Sequence, residues 1–266
     1  MIVLVSSSRC KGASFGPAVP ARGSTGRAAC RLFRECRTLE WPGDLTPSAS
    51  AHDTCAVGSV LALVGCGARL EVALAVPGVP VPTVIALAGP LPRSELVMAA
   101  VDLALRAGGI ERRELACVLA TRGPGSFTGV RVTLATALGL ARALGIPGHG
   151  VSSLLVQAAR TDEPVCLAAQ PSRRGWAYTQ AFRRDGALLS ADGEIEVVEL
   201  AALAAARLPV VAGTGLELPA ATPRAAAVRT AAEALLALAA ELPEGRPETL
   251  VPLYVEAAPA RPPRSA

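Results

Sequence analysis

The sequence predicts an α/β fold in two lobes, and three observations carry that prediction. Over residues 60–160, short apolar, partly β-branched runs and amphipathic helical stripes follow one another in the order βββαβαβα. A second, shorter set of strands and helices follows over residues 164–241. The chain has 266 residues, 51% of them hydrophobic, which is enough to bury one substantial core or two small ones. This order matches an RNase H-like pair of lobes, with a doubly wound α/β fold as the competing arrangement.

The first lobe opens with three runs, 60–64, 70–76 and 81–87, separated by Gly and Pro and read as a meander of strands. Residues 94–107 place Leu96, Val97, Ala100, Val101, Ala104 and Leu105 on one helical stripe that stops at Gly108-Gly109. A strand at 115–120, a long helix at 127–144 stopped by Gly145, a strand at 146–151 and a helix at 152–160 capped by Ser152 complete the lobe. The second lobe has predicted strands at 164–169, 176–183, 194–198 and 208–212, and helices at 199–206 and 229–241.

Residues 1–57 have no sustained period and are rich in Ser, Gly, Pro, Arg and Cys. They read as a disordered or mis-annotated extension, with Val57 or Val60 as an alternative start and a transit peptide as the other option. The domain expectation is therefore an extension at 1–57, a first lobe at 58–160, a second at 161–256 and a disordered tail at 257–266.

Composition excludes several classes of function. No stretch of eighteen uninterrupted apolar residues is present, so no membrane association is expected. Of the net charge of +4, three units fall in residues 1–57, which hold seven basic and four acidic residues. The body is nearly neutral and offers no basic footprint for gripping RNA by itself. Seven cysteines without a CxxC pair read as reduced thiols in a cytoplasmic protein. Two histidines, His52 and His149, and no His-Glu-x-x-His leave a metal enzyme without ligands.

The most informative stretch lies between the fourth strand and the long helix: Arg122, Gly123, Pro124, Gly125, Ser126, Phe127, Thr128, Gly129, Val130 and Arg131. Gly123 and Gly125 around Pro124 permit a sharp turn, Ser126 can cap the helix, and Gly129 permits close packing in its first turn. Free N–H groups there could hold an anion. The P-loop pattern fails, because its lysine and its glycine spacing are both missing. On physics alone a tight strand-to-helix connection is the simpler reading.

RGPGSFTGVR, followed by Gly145-Ile146-Pro147 and by Gly150 to Leu154, resembles the hallmark of the TsaB (YeaZ) family, and the similarity extends over about residues 60–256. Arg173-Arg174-Gly175, Gly213-Thr214-Gly215 and Pro252-Leu253-Tyr254 also fit it. The resemblance implies an actin-like, Hsp70-like ATPase fold. It also implies a part in forming N6-threonylcarbamoyladenosine next to the anticodon of tRNAs that read codons beginning with A. The implied partners are a TsaD-like catalytic subunit and a TsaE-like ATPase, or a second copy of the chain, with tRNA met only through the complex. ATP and Mg²⁺ would then act at the level of the complex, and the chain would have no cofactor, metal or catalytic residue of its own.

Departures from the family pattern favour that division of labour. Val64 stands where an acid is usual, Gly65-Cys66-Gly67 replaces hydroxyls, Arg93 replaces a His, Pro171 replaces an Asp, and Glu256 stands where Arg is common. Mg²⁺ wants carboxylate and phosphate oxygens, so phosphoryl transfer is not expected. The alternative, an active ATPase or threonylcarbamoyltransferase of the same fold, needs acids and a histidine pair that the chain lacks. A glycoprotease fails for the same reason. Interface candidates are Leu96 and Ala100 on the first helix and Ala135, Thr136, Gly139 and Ala143 on the second, whose small side chains would let a partner helix approach closely. The competing reading makes the second stripe that helix's inward face.

Overall fold

Why β2 (Ser59–Val64) is apolar at every position follows from where it sits: all six residues are buried, so both faces of its sheet are covered. The computed structural model describes residues 2–3, 58–242 and 249–255. By internal contacts the chain divides into Met1–Val5 with Ala51–Ala266 as one unit and Ser6–Ser50 as another. The second unit lies outside the described residues. So do the expectations for most of 1–57, for Glu256 and for the tail at 257–266.

In the first sheet, β1 (Ile2–Val3), β4 (Thr83–Leu87), β3 (Leu70–Ala75), β2, β5 (Leu115–Thr121) and β6 (Gly148–Val151) lie in that order. The β2–β3–β4 meander is antiparallel, and β5 and β6 join it in parallel. Expected strand starts at 81 and 146 move inward to Thr83 and Gly148. The two-residue β1 pairs antiparallel with β4 and is an element no sequence pattern indicated.

Helices α1 (Arg93–Gly108) and α2 (Phe127–Leu144) pack side by side on one face of this sheet. Ser126 accepts from the Gly129 N–H at 3.3 Å and caps α2, which ends at Gly145. Among the described residues α2 is the one helix long and apolar enough to cross a membrane. Its buried positions, Gly129, Val130, Thr133, Leu134, Ala137 and Ala141, instead face β5 and the core. α3 (Ser153–Ala158) follows β6, but Ser152 does not cap it through its side chain: the Ser152 Oγ is buried without a partner.

The second sheet runs β10 (Glu196–Glu199), β8 (Trp176–Asp185), β7 (Val165–Pro171), β11 (Val210–Ala212), with β9 (Leu188–Ala191) paired to β8. β9 was not expected from the sequence. The helix expected at 199–206 is a 3-10 turn at Leu200–Ala205.

The helix expected at 229–241 is α4 (Ala231–Ala237) continued by a 3-10 turn at Leu238–Glu241. It does not stay with the second sheet. Ala232, Leu235 and Leu238 join the first core, and α4 covers the β2–β3 face opposite α1 and α2. The buried Glu71 explains the attachment. Its carboxylate accepts from the Ala232 N–H at 3.1 Å and from Arg69 Nε at 2.6 Å, pairing a free helix N–H and a cation with one anion. The segment expected as a second lobe thus returns its last helix to the first.

Cys66 and Cys166 are free, buried thiols.

Candidate functional site

The glycines of the central motif are required by two backbones in contact. The turn after β2 and the entry to α2 meet so closely that a Cβ on Gly125 would lie 2.5 Å from the Cys66 carbonyl oxygen. A Cβ on Gly129 would run into the Gly65 carbonyl oxygen and the Arg93 guanidinium. Only hydrogen fits at these positions. The contact is bonded as well as close, since the Ser126 N–H donates to the Cys66 carbonyl at 2.8 Å and the Gly65 N–H to Thr121 Oγ1 at 3.3 Å.

The other half of the motif loop is tied to later parts of the chain. The Arg122 N–H donates to the Val151 carbonyl at 2.8 Å, and the Leu253 N–H to the Arg122 carbonyl at 2.7 Å. The Ser153 N–H donates to the Gly123 carbonyl at 2.8 Å, and its hydroxyl donates to the Pro124 carbonyl. Gly123, Pro124, Gly129 and Val130 are buried. The loop is thus first a structural junction, as its physics implies.

Three motif residues remain at the surface. Phe127 is 58% exposed, and Arg131 lies over its ring at 3.8 Å. Arg131 also donates to the Tyr254 hydroxyl at 2.9 Å, which joins the motif to the C-terminal Pro252-Leu253-Tyr254 stretch. Thr128 is exposed beside them.

Arg93, read from the sequence only as a departure from a histidine, turns out to be a strut. Its guanidinium donates to Ser126 Oγ at 2.8 Å and to the Gly67 carbonyl, so one side chain joins the start of α1, the β2–β3 turn and the cap of α2. All three belong to the wall of a cleft of about 830 Å³ that opens between the loops of the two sheets. The first sheet contributes Cys66–Ala68, Arg93 and Gly125–Phe127, and the second contributes Pro171–Arg173, Tyr178, Thr214 and Gly215. Arg173 also stacks on Trp176, 4.3 Å from the ring centre.

Among the described residues no carboxylate lines this cleft. Val64 is buried in β2, and Pro171 stands at the cleft wall without an acid. Burial pushes the Cys66 thiol up to about 11, so it enters the cleft wall as a neutral group. Among the described residues no three His, Cys, Asp or Glu side chains gather as metal ligands. The residues present do not fit Mg²⁺, which wants oxygen anions and meets guanidinium groups here. Among the described residues no Ser–His pair forms either: His149 is buried in β6, where desolvation lowers its pKa, and Ser153 spends its hydroxyl on Pro124.

The interface candidates divide. Ala135, Gly139 and Ala143 are exposed, and a Cβ built on Gly139 meets nothing within 4 Å. The stripe is therefore the outward face of α2. Thr136 is half-buried and turns its hydroxyl back to the Val132 carbonyl at 2.9 Å, and Leu96 is half-buried against the core. Ala100 is corrected: it is 1% exposed and faces the sheet with Val97, Val101 and Ala104, where no partner reaches it. Sequence reasoning missed Met98 and Leu103, exposed apolar residues of α1. Their off-stripe positions in the helix were the available signal.

Comparison with known proteins gives one family match, two relatives and two similar solved structures. The family model described as "TsaD: tRNA N6-adenosine threonylcarbamoyltransferase" matches residues 93–234, more than half of the chain. The tRNA threonylcarbamoyladenosine biosynthesis protein TsaB of Escherichia coli is 32% identical over 100 residues, covering 36% of this chain and 43% of that protein. An uncharacterised protein of Mycobacterium leprae is 44% identical over 70 residues, covering 26% of this chain and 19% of that one. The chain thus spans less than half the length of these two relatives. Among solved structures, YeaZ from Pseudomonas aeruginosa superposes with a TM-score of 0.59 at 24% identity, over 74% of this chain and all of that one. A second structure, titled as similar to the peptidase YeaZ of that organism, gives 0.60 at 24%, over 75% of this chain and all of that one. These structures share the two-lobed, actin-like α/β fold.

Proposed function

The chain belongs to the family described as tRNA N6-adenosine threonylcarbamoyltransferase, with TsaB among its relatives, and from that premise we propose that it serves threonylcarbamoyladenosine formation in tRNA as a non-catalytic partner subunit. The observation that carries the reading is the cleft. Where a phosphoryl-transfer site would present carboxylates to a metal, this one presents Arg93 and Arg173. What the molecule offers in place of chemistry is a surface. On α2, Ala135, Gly139 and Ala143 lie outward, and Met98 and Leu103 add exposed apolar area on α1. Small residues allow a partner helix to come within ridge-and-groove distance, and burying the apolar ones supplies the driving force.

The partner of this reading is a TsaD-like catalytic subunit, which would bring the metal and the nucleotide chemistry, with a TsaE-like ATPase and tRNA meeting the complex rather than this chain alone. Its test is co-expression of the full chain with the catalytic subunit of the same organism. Co-purification at one-to-one stoichiometry, with tRNA modification depending on both chains, supports the reading. Modification by this chain alone, or by the catalytic subunit without it, overturns it.

A further inference from the structure

Arg131 is held more firmly than its place in the fold requires. Its guanidinium lies 3.8 Å from the Phe127 ring centre and 6.0 Å from that of Tyr254, and Nε and Nη2 both donate to the Tyr254 hydroxyl, at 3.2 and 2.9 Å. The C-terminal stretch is fixed without these contacts. Leu250 is buried in the first core, the Leu253 N–H donates to the Arg122 carbonyl, and the Gly150 N–H donates to Thr249 Oγ1 at 3.1 Å. Two aromatic rings, each more than half exposed, thus hold one cation still at the surface. Among the described residues no carboxylate pairs with Arg131, and its Nη1 group makes no hydrogen bond. A guanidinium already ordered, with one edge free, loses little entropy on capturing a carboxylate.

Arg131 also has a counterpart. Arg131 and Arg142 are the charged residues of α2, both exposed, and the helix contains no Asp or Glu. Eleven residues separate them, almost three whole turns, so both stand on the outward side of α2, about 16 Å apart along its axis. Arg142 likewise has no carboxylate partner among the described residues.

We propose that Arg131 and Arg142 determine which partner this face accepts: a helix of the catalytic subunit that brings one carboxylate to each arginine, with the pre-ordered Arg131 as the stronger contact. The proposal rests on the partner-subunit reading and adds the chemistry that the partner must carry. Charge complementarity selects the occupant. The α2 of a second copy has no carboxylate to offer. RNA fits less well, because the Arg131 guanidinium covers one face of Phe127 where a base would stack, and the body of the chain is nearly neutral.

The test is the affinity of the full chain for the catalytic subunit of the same organism, titrated calorimetrically at low and at high ionic strength. Arg131→Gln should weaken binding about tenfold or more, and should flatten its dependence on salt. Arg131→Lys keeps the charge without the fork and should fall between the two, and Arg142→Gln should lose less than Arg131→Gln. A role confined to the fold of this chain would lower its melting temperature and leave the salt dependence unchanged. If the unaltered chain does not bind the subunit, the partner reading and this proposal fall together. If it binds and Arg131→Gln binds equally well with the same salt dependence, this proposal alone is overturned. It is also overturned if Arg131→Gln weakens only a dimer of the chain with itself, or only binding of tRNA to the chain alone, since the occupant is then a second copy or RNA.

Discussion

Arg93 Nη1 donates to Ser126 Oγ at 2.8 Å, and the same oxygen accepts from the Gly129 N–H at 3.3 Å, so the cap of α2 is itself held by the first residue of α1. The residue that departs from the family pattern has become part of the frame around the motif. Arg93→Met keeps the aliphatic stem and removes both hydrogen bonds. It should destabilise the fold by about 1–3 kcal/mol, read as a lower urea midpoint with an unchanged slope. An unchanged midpoint would mean the strut contributes nothing.

Two glycines of one helix should respond to alanine in opposite directions. Gly129→Ala forces a methyl group into the Gly65 carbonyl and the Arg93 guanidinium, where backbone must move. A loss of about 3 kcal/mol or more is expected. Gly139→Ala meets open space in a helix interior and should raise stability by about 1 kcal/mol. Thermal unfolding of the two variants side by side checks both signs.

Magnesium should leave the protein indifferent. With no carboxylate among the described residues of the cleft, melting temperature in the presence of ATP should be the same with Mg²⁺ as with EDTA. A rise of several degrees that needs the metal would point to acids the cleft does not show.

His149 provides a pH signature. Burial lowers its pKa in the folded state below the ordinary 6.5, while the unfolded chain keeps that value. Between the two the unfolded state binds more protons, so His149 makes stability rise with pH through that window. Its effect is absent above about pH 7 and grows as pH falls below 6.5 until the folded pKa is passed. His149→Gln should flatten the slope of stability between pH 7 and 5. An identical slope in the variant would show that His149 does not titrate out of line.

The legible parts of the sequence were those governed by neighbours in the chain. The limits of α2, Phe127–Leu144, could be read because Ser126 caps one end and Gly145 stops the other. β9 was missed although its signal was local: Asp185-Gly186, with Gly186 at φ 59°, turns β8 back onto Leu188-Leu189. The rest depends on residues far apart. Nothing near Ala232 announces that Glu71, 161 positions earlier, will cap its helix on the first sheet. Nor could the sequence say that Arg131 joins Phe127 to Tyr254, or that Gly139 faces out, whereas Ala100 stood on the apolar stripe of α1 that turned out to face inward. For the cleft, the departures at Val64 and Pro171 were legible in the sequence, and the fold added that Arg93 and Arg173 line its wall.

The central claim is that the outer face of α1 and α2 is the partner surface, and Gly139→Arg tests it most directly. The substitution puts a long cation where the structure has free space, so the variant should fold with at least the stability of the unaltered chain by circular dichroism and thermal unfolding. At a close helix–helix contact that cation would be desolvated without an anion. The account predicts that the folded variant no longer co-purifies with the TsaD-like subunit and loses it at least a hundredfold in affinity, roughly the loss expected when a charge is buried unpaired. A folded Gly139→Arg chain that binds the catalytic subunit with unchanged affinity would contradict it.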